Sequence, residues 1–239
     1  MIFPDKYKVN KKYPKKLFLD NKDIEAKDRT FIKKHIVSVT LAAQISGEEI
    51  PSIDNEDYKY KVIQYLEVEL DNIKYSNDMG KIFQNTFKSP LIVKFHDNNG
   101  YYTYSYALKR INKSFNNEIV ISDSFTTRKI DSFIDIETGN LYNDFLDISK
   151  LLNNSDKVCL YHELYVKAFI IENRQLFNDY MKFLESKVYY DFINMMSFYD
   201  ALVNLLQCKK ELNRASTISK KIEINNRKNS CIDRIYSLI

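Results

Sequence analysis

The 239-residue chain has no tryptophan, four glycines, four prolines and three cysteines. Each scarcity removes a class of function. So few glycines leave no phosphate-cradling loop, and neither a Walker pattern nor Gly-x-Gly-x-x-Gly nor Gly-x-Ser-x-Gly occurs. ATP-driven and serine-hydrolase chemistry therefore have no visible support. Cys159, Cys208 and Cys231 lie far apart without a Cys-x-x-Cys pair, which predicts reduced thiols rather than a disulfide framework. His35, His96 and His162 are isolated, so no metal site is expected. No apolar run approaches the roughly 20 residues of a membrane span. No apolar segment follows the first charges as in a secretory signal. The expectation is a cytoplasmic protein with no membrane contact.

What is present is ordinary for a folded domain: 44% hydrophobic and 28% charged residues, enough to bury a core without staples. Charge is uneven. Residues 1–34 carry eleven Lys/Arg against five Asp/Glu, net +6, and residues 207–239 carry eight against three, net +5. With a whole-chain charge of +4, the intervening body is acidic at −7. Basic ends on an acidic body fit an anionic partner, although solvated lysines alone would look the same.

Pro4 and Pro14 predict an extended start, pinned by Tyr7, Val9, Tyr13, Leu17 and Phe18. A short helix is expected over Asp23 to Lys34, capped by Asn21 or Asp23. His35 to Ser46 reads as a strand. Lys61 to Asp71 is the clearest strand, because Leu66, Val68 and Leu70 alternate with Glu67, Glu69 and Asp71. A helix over Asn72 to Lys88, capped by Ser76 or Asn77, ends at Ser89-Pro90. Leu91 to His96 and Tyr101 to Arg110 flank the turn Asp97-Asn98-Asn99-Gly100 as a hairpin, and Glu118 to Phe125 is a fifth strand. Beyond Gly139-Asn140 the periodicity becomes helical. The expected class is α+β: a mainly antiparallel sheet with two helices in residues 1–138, then an all-helical region in 139–239. The last stretch, from Arg214, reads as a solvated helix or half of a helical hairpin.

Two constellations bear on chemistry. Glu67 and Glu69 share a strand face, and Lys94 and His96 share another. If those strands are neighbours, acids and bases meet across the sheet. A restriction-nuclease metal site needs an acid on one strand and Glu-x-Lys on the next. Here Glu67-Val68-Glu69 puts Glu in the place of that Lys, with Asp54 as the other acid. Glu67, Glu69 and Lys94 are thus the catalytic candidates, with Mg²⁺ needed only under that reading; cross-strand pairing on a solvated face is the plainer one. The second constellation is a tyrosine ladder, Tyr101, Tyr102, Tyr104 and Tyr106, between Lys94, Lys109 and Arg110. Aromatics among cations can stack single-stranded bases. Tyr102 and Tyr104 are therefore nucleic-acid or partner candidates, with Lys11, Lys12, Lys15, Lys16, Lys220 and Lys221 as the cations.

The start Phe3-Pro4, then Val9-Asn10-Lys11-Lys12-Tyr13-Pro14-Lys15-Lys16, resembles that of the uncharacterised DUF4391 family. So do the strand Ile63-Gln64-Tyr65-Leu66-Glu67-Val68-Glu69-Leu70, the stretch Ser89-Pro90-Leu91-Ile92-Val93, and the basic C-terminal segment Lys220-Lys221-Ile222-Glu223-Ile224-Asn225. The family's Thr-Glu-Trp triplet is replaced here by Ser124-Phe125-Thr126-Thr127. The resemblance brings no catalytic motif. It implies an accessory protein beside helicases and DNA methyltransferases in restriction or phage-defence systems. The alternatives are a divergent Mg²⁺-dependent nuclease subunit, a stand-alone nucleic-acid-binding protein, and an oligomer formed through helices of residues 172–212.

Overall fold

A computed structural model describes residues 1–114 and 118–239. They form two compact units, residues 1–168 and 169–239. The first is built on a seven-stranded mixed sheet. Its strands are β1 (Lys8–Tyr13), β2 (Ile36–Ile45), β5 (Ile63–Leu70), β6 (Leu91–His96), β7 (Tyr101–Asn112) and β8 (Glu118–Thr126), adjacent in that order, with β9 (Ile130–Asp131) pairing the start of β7. A separate ribbon, β3 (Ile53–Asp54) and β4 (Lys59–Tyr60), pairs apart from this sheet. All pairings are antiparallel except β5 with β6. Those two are joined by α3 (Ser76–Thr86). The α+β class and mostly antiparallel sheet are as expected from the sequence.

One sheet face is apolar. Leu66, Val68 and Leu70 join Val93 and Phe95 of β6 and Val39 and Leu41 of β2. Phe83 and Met79 of α3, Ile32 of α2 (Ala26–His35) and Phe18 of α1 (Lys16–Leu19) close over them. Burying each such side chain contributes about 1.5–3 kcal/mol. The other face is covered only in part. Tyr142 of α4 (Ile136–Phe145) packs on Tyr104, with ring centroids 4.9 Å apart. Tyr165 of α5 (Lys157–Glu172) meets Phe125 at 5.1 Å, beside Tyr106. The change of texture read at Gly139-Asn140 falls inside α4, and α4 and residues 157–168 of α5 pack against the sheet within residues 1–168.

Buried charges secure the connections. Glu163 is fully buried; it accepts Leu152 N at 3.0 Å, Asn153 N at 2.7 Å and Lys167 Nζ at 2.6 Å. Lys157 Nζ donates to Gly47 O, Ile50 O and Ser52 Oγ at 2.6–3.0 Å. Such ions are held because every partner is a matched dipole or charge; deleting one partner would leave the other stranded.

Several local expectations are corrected. Glu25, not Asn21 or Asp23, stands at the α2 N-cap and makes no side-chain cap bond; Asn21 Oδ1 instead accepts Asp23 N at 2.9 Å in a preceding turn. Neither Ser76 nor Asn77 caps α3. The chain enters it through a 3-10 turn, where Asn72 Oδ1 accepts Lys74 N at 3.0 Å and Asp97 Oδ2 accepts Ile73 N at 3.1 Å. The first residues are not uniformly extended, since a 3-10 turn (Asp5–Tyr7) and α1 flank β1. Tyr7 and Phe18 anchor this arm, whereas Val9 and Leu17 are exposed.

The second unit contains α6 (Tyr180–Leu184), α7 (Phe192–Arg214) and α8 (Ile218–Leu238). Asp191 caps α7 through Asn194 N at 2.7 Å, and Thr217 caps α8 through Lys220 N at 3.3 Å. Cys208, Ala215 and Ile224 pack between α7 and α8, and Glu211 pairs with Arg227. The last stretch is therefore half of a helical hairpin. The three cysteines are free thiols. No helix of the described residues is long and apolar enough to cross a membrane.

His162 is buried, with its Nδ1 2.7 Å from Val158 O and its ring stacked on Tyr60. Burial holds its pKa down at about 4, from the ordinary 6.5. The unfolded imidazole binds a proton that the folded one refuses until about pH 4. Stability is thus full above pH 6.5 and should fall as pH drops toward 4, by about 3 kcal/mol from this group. Urea titrations across that window should show a shallower pH dependence in His162→Phe than in the parent; equal slopes would refute the assignment.

Candidate functional site

The parallel register of β5 and β6 sets Glu67 beside Lys94 and Glu69 beside His96. Neighbouring strands extend both rows. Across one run Lys12, Thr40, Glu67, Lys94 and Tyr104; across the next run Ser38, Glu69, His96 and Tyr102. Alternation places these on the face opposite Leu66 and Val68. The sheet therefore turns an apolar side to α1, α2 and α3 and a polar side toward α4.

Lys94 Nζ stands 3.6 Å from Glu67 Oε1, with side chains 30% and 38% exposed, and 5.6 Å from the centre of the Tyr102 ring. Tyr65 donates its hydroxyl to Glu67 Oε1 at 3.2 Å. Ser38 donates to Glu69 Oε2 at 2.9 Å. Both carboxylates are thus engaged by neighbours. Among the described residues no group of three His, Cys, Asp or Glu side chains is placed to hold a metal ion. Asp54 lies on the separate ribbon and pairs with Lys61 at 2.9 Å.

A cleft of about 410 Å³ opens over the first row. Its walls include Lys8, Asn10, Tyr65, Glu67, Lys94, Tyr102 and Asn143. Two register shifts meet there. Between Lys8 and Lys11 β1 carries one residue more than β2, with Asn10 at φ 51°, and between Leu41 and Ala43 β2 carries one more than β5. Bulges bend a strand and re-aim its side chains. Asn10 and Ala42, at the two bulges, both line the cleft. On the opposite wall a Cβ at Gly139 would lie 3.1 Å from the Tyr102 hydroxyl, so the lack of a side chain lets α4 come close.

The tyrosine ladder is mostly internal. Tyr104 is 4% exposed and Tyr106 fully buried, so neither offers a free face to a base. Burial raises the Tyr104 phenol well above its usual range. Tyr102 is half-buried and remains at the cleft. Lys109 is also buried; its Nζ donates to Phe87 O at 2.5 Å and Ser89 O at 2.9 Å, and burial lowers its pKa to about 7. It binds backbone, not phosphate.

The basic collar forms the edge of the sheet. Lys11 and Lys12 lie on β1, Lys15 and Lys16 where it turns into α1. None of the four is within 4.0 Å of a carboxylate among the described residues, and all but the half-buried Lys15 are exposed. Lysines on an open strand also discourage edge-to-edge pairing. Lys220 and Lys221 are exposed in the first turn of α8, in the second unit. Sequence reasoning missed Ser38 and Thr40, although their alternation with Val39 and Leu41 was legible. It also missed Asn10 and Asn143, whose role depends on the bulges and on the docking of α4.

A family model described as a domain of unknown function, DUF4391, matches residues 1–230, and the chain belongs to that family. No curated protein and no solved structure matches it.

The left-handed conformation of Asn10 gives a direct test of the first bulge. Asn10→Val should destabilise the protein by about 1–2 kcal/mol, and Asn10→Gly should be close to neutral. Chemical denaturation checks this; equal stability of the two variants would contradict the bulge geometry.

Proposed function

We propose that this chain is a non-catalytic accessory protein that binds an anionic, nucleic-acid-bearing partner through its basic sheet edge. The supporting observation is the set Lys11, Lys12, Lys15 and Lys16: four cations with no carboxylate partner within 4.0 Å among the described residues. Unpaired cations along one edge favour a polyanion, because each phosphate contact releases a condensed counterion. Glu67 and Glu69 each accept a hydrogen bond from a neighbour, Tyr65 and Ser38, and Glu67 lies 3.6 Å from Lys94, which supports a positioned surface over a metal-activated centre. The partner class in this reading is a helicase or DNA methyltransferase of a restriction or phage-defence system, as the family resemblance implies. Lys220 and Lys221 would add a second contact from the second unit.

Gel-shift titrations at several salt concentrations test the proposal. The parent should bind single- or double-stranded DNA at low salt, with affinity falling steeply as salt rises. Replacing Lys11, Lys12, Lys15 and Lys16 by Ala should flatten the log–log salt slope by roughly three to four. Absence of any low-salt shift would remove the nucleic-acid part. The nuclease alternative has its own readout: cleavage that needs Mg²⁺ or Mn²⁺ and disappears in Glu67→Ala would replace the accessory reading altogether.

A further inference from the structure

The cleft over Glu67 and Lys94 has features that the basic edge does not need. Its volume of about 410 Å³ lies within the range of about 300–1,000 Å³ typical of small-molecule sites. It is flanked by two cationic side chains, Lys8 and Lys94, and one carboxylate, Glu67. Lys8 also reaches Asp5 at 2.6 Å, but Asp5 is 94% exposed and outside the lining. Lys94 holds its carboxylate only at 3.6 Å and remains 30% exposed. A second anion can therefore reach Lys94 without breaking a tight pair.

The rest of the lining includes aromatic and amide groups, with the Met1 amine beside them. Phe3 and Tyr65 are buried against each other, ring centroids 5.0 Å apart, and back the cleft; Tyr102, half-buried by Lys94, is the lining aromatic with an accessible ring. Asn10 and Asn143 bring side-chain amides; Asn143 Oδ1 already accepts from the Met1 amine at 2.5 Å, which leaves its Nδ2 to donate. Glu67 adds an acceptor for hydroxyl or amino groups. An inorganic anion would use the lysines and leave the Tyr102 ring and the amides idle. A purely apolar ligand would leave the charges unmatched. A molecule combining phosphate, hydroxyls and a flat heteroaromatic ring matches all three kinds of surface.

Two bulges and a glycine shape this cleft. The bulged residues Asn10 and Ala42 both line it, Asn10 at φ 51°. Gly139 permits the close approach of α4 to Tyr102. Backbone irregularity gathered around one hollow is the pattern of a binding site rather than of a packing defect.

We propose that this cleft binds a nucleoside 5′-phosphate, either free or as the phosphorylated end of a strand. Lys94, with Lys8, takes the phosphate; Glu67, Asn10 and Asn143 meet the sugar hydroxyls and ring edge; Tyr102 meets the face of the ring. The site does not depend on the four lysines of the edge, and its test separates the two.

The full chain is titrated with the common 5′-mononucleotides, the matching nucleosides and orthophosphate, followed by calorimetry and by tyrosine chemical shifts. Saturable mononucleotide binding is expected, with nucleosides weaker by about tenfold or more for want of the charged contact. Lys94→Met and Asn143→Ala should each weaken it by about tenfold. The Lys11/Lys12/Lys15/Lys16→Ala variant should bind mononucleotides like the parent even where its DNA shift is lost. Short oligonucleotides with a 5′-phosphate or a 5′-hydroxyl then identify the source: preference for the phosphate assigns a strand end, and equal binding assigns the free nucleotide. The proposal is overturned if no mononucleotide saturates the protein, if nucleosides bind as well, or if folded Lys94→Met and Asn143→Ala leave affinity unchanged.

Discussion

The parallel pairing of β5 with β6 is the constraint on which the first unit turns. It forces the chain to cross over, and α3 is that crossing. It also sets Leu66 beside Val93 and Val68 beside Phe95 on one face, and Glu67 beside Lys94 and Glu69 beside His96 on the other. One register thereby defines both the core and the polar surface. A slip by one residue would invert the two faces, burying carboxylates among aliphatic side chains. The apolar side makes that slip prohibitive. The polar surface is thus stabilised by a core it does not touch.

The amino-terminal arm does two things with one strand. Its lysines face water along the edge of the sheet, where they also protect the edge. Its bulge at Asn10 turns the same strand into one wall of the cleft. Tyr7 and Phe18, buried at either end, hold it down. Two aromatic anchors and the β2 pairing therefore hold the backbone that carries the exposed cations, which on the proposed reading lowers the entropy lost on meeting a partner.

Lysine is used in two opposite ways within one chain. Lys109 and Lys157 are buried and satisfied by carbonyls, closing turns that would otherwise leave acceptors unpaired. Lys11, Lys12, Lys15 and Lys16 have no such partners. Composition cannot separate the two kinds, since the distinction lies in whether backbone carbonyls converge on the ammonium. Lys109 illustrates this: beside the tyrosine ladder in sequence it resembles a phosphate contact, yet its stem runs inward and its charge is consumed by Phe87 and Ser89.

The amino-acid sequence alone determined where the longer strands of the sheet lie, because period-two alternation in residues 63–70 and the Asn-Gly turn before Tyr101 are local signals, whereas α1 and the β3–β4 ribbon were not legible in it. It also determined the family, and it placed Glu67, Glu69 and Lys94 on polar faces. Only the tertiary structure decided that those faces are one face, since a parallel register is set by a crossover connection and not by either strand. It decided that Tyr104 and Tyr106 are internal, because α4 and α5 dock over the far end of the sheet. It decided too that Asn10, Ala42, Gly139 and Asn143 surround one hollow. Two bulges and a close helix approach leave no periodic trace in a sequence, because each is a departure from the period by which a sequence is read.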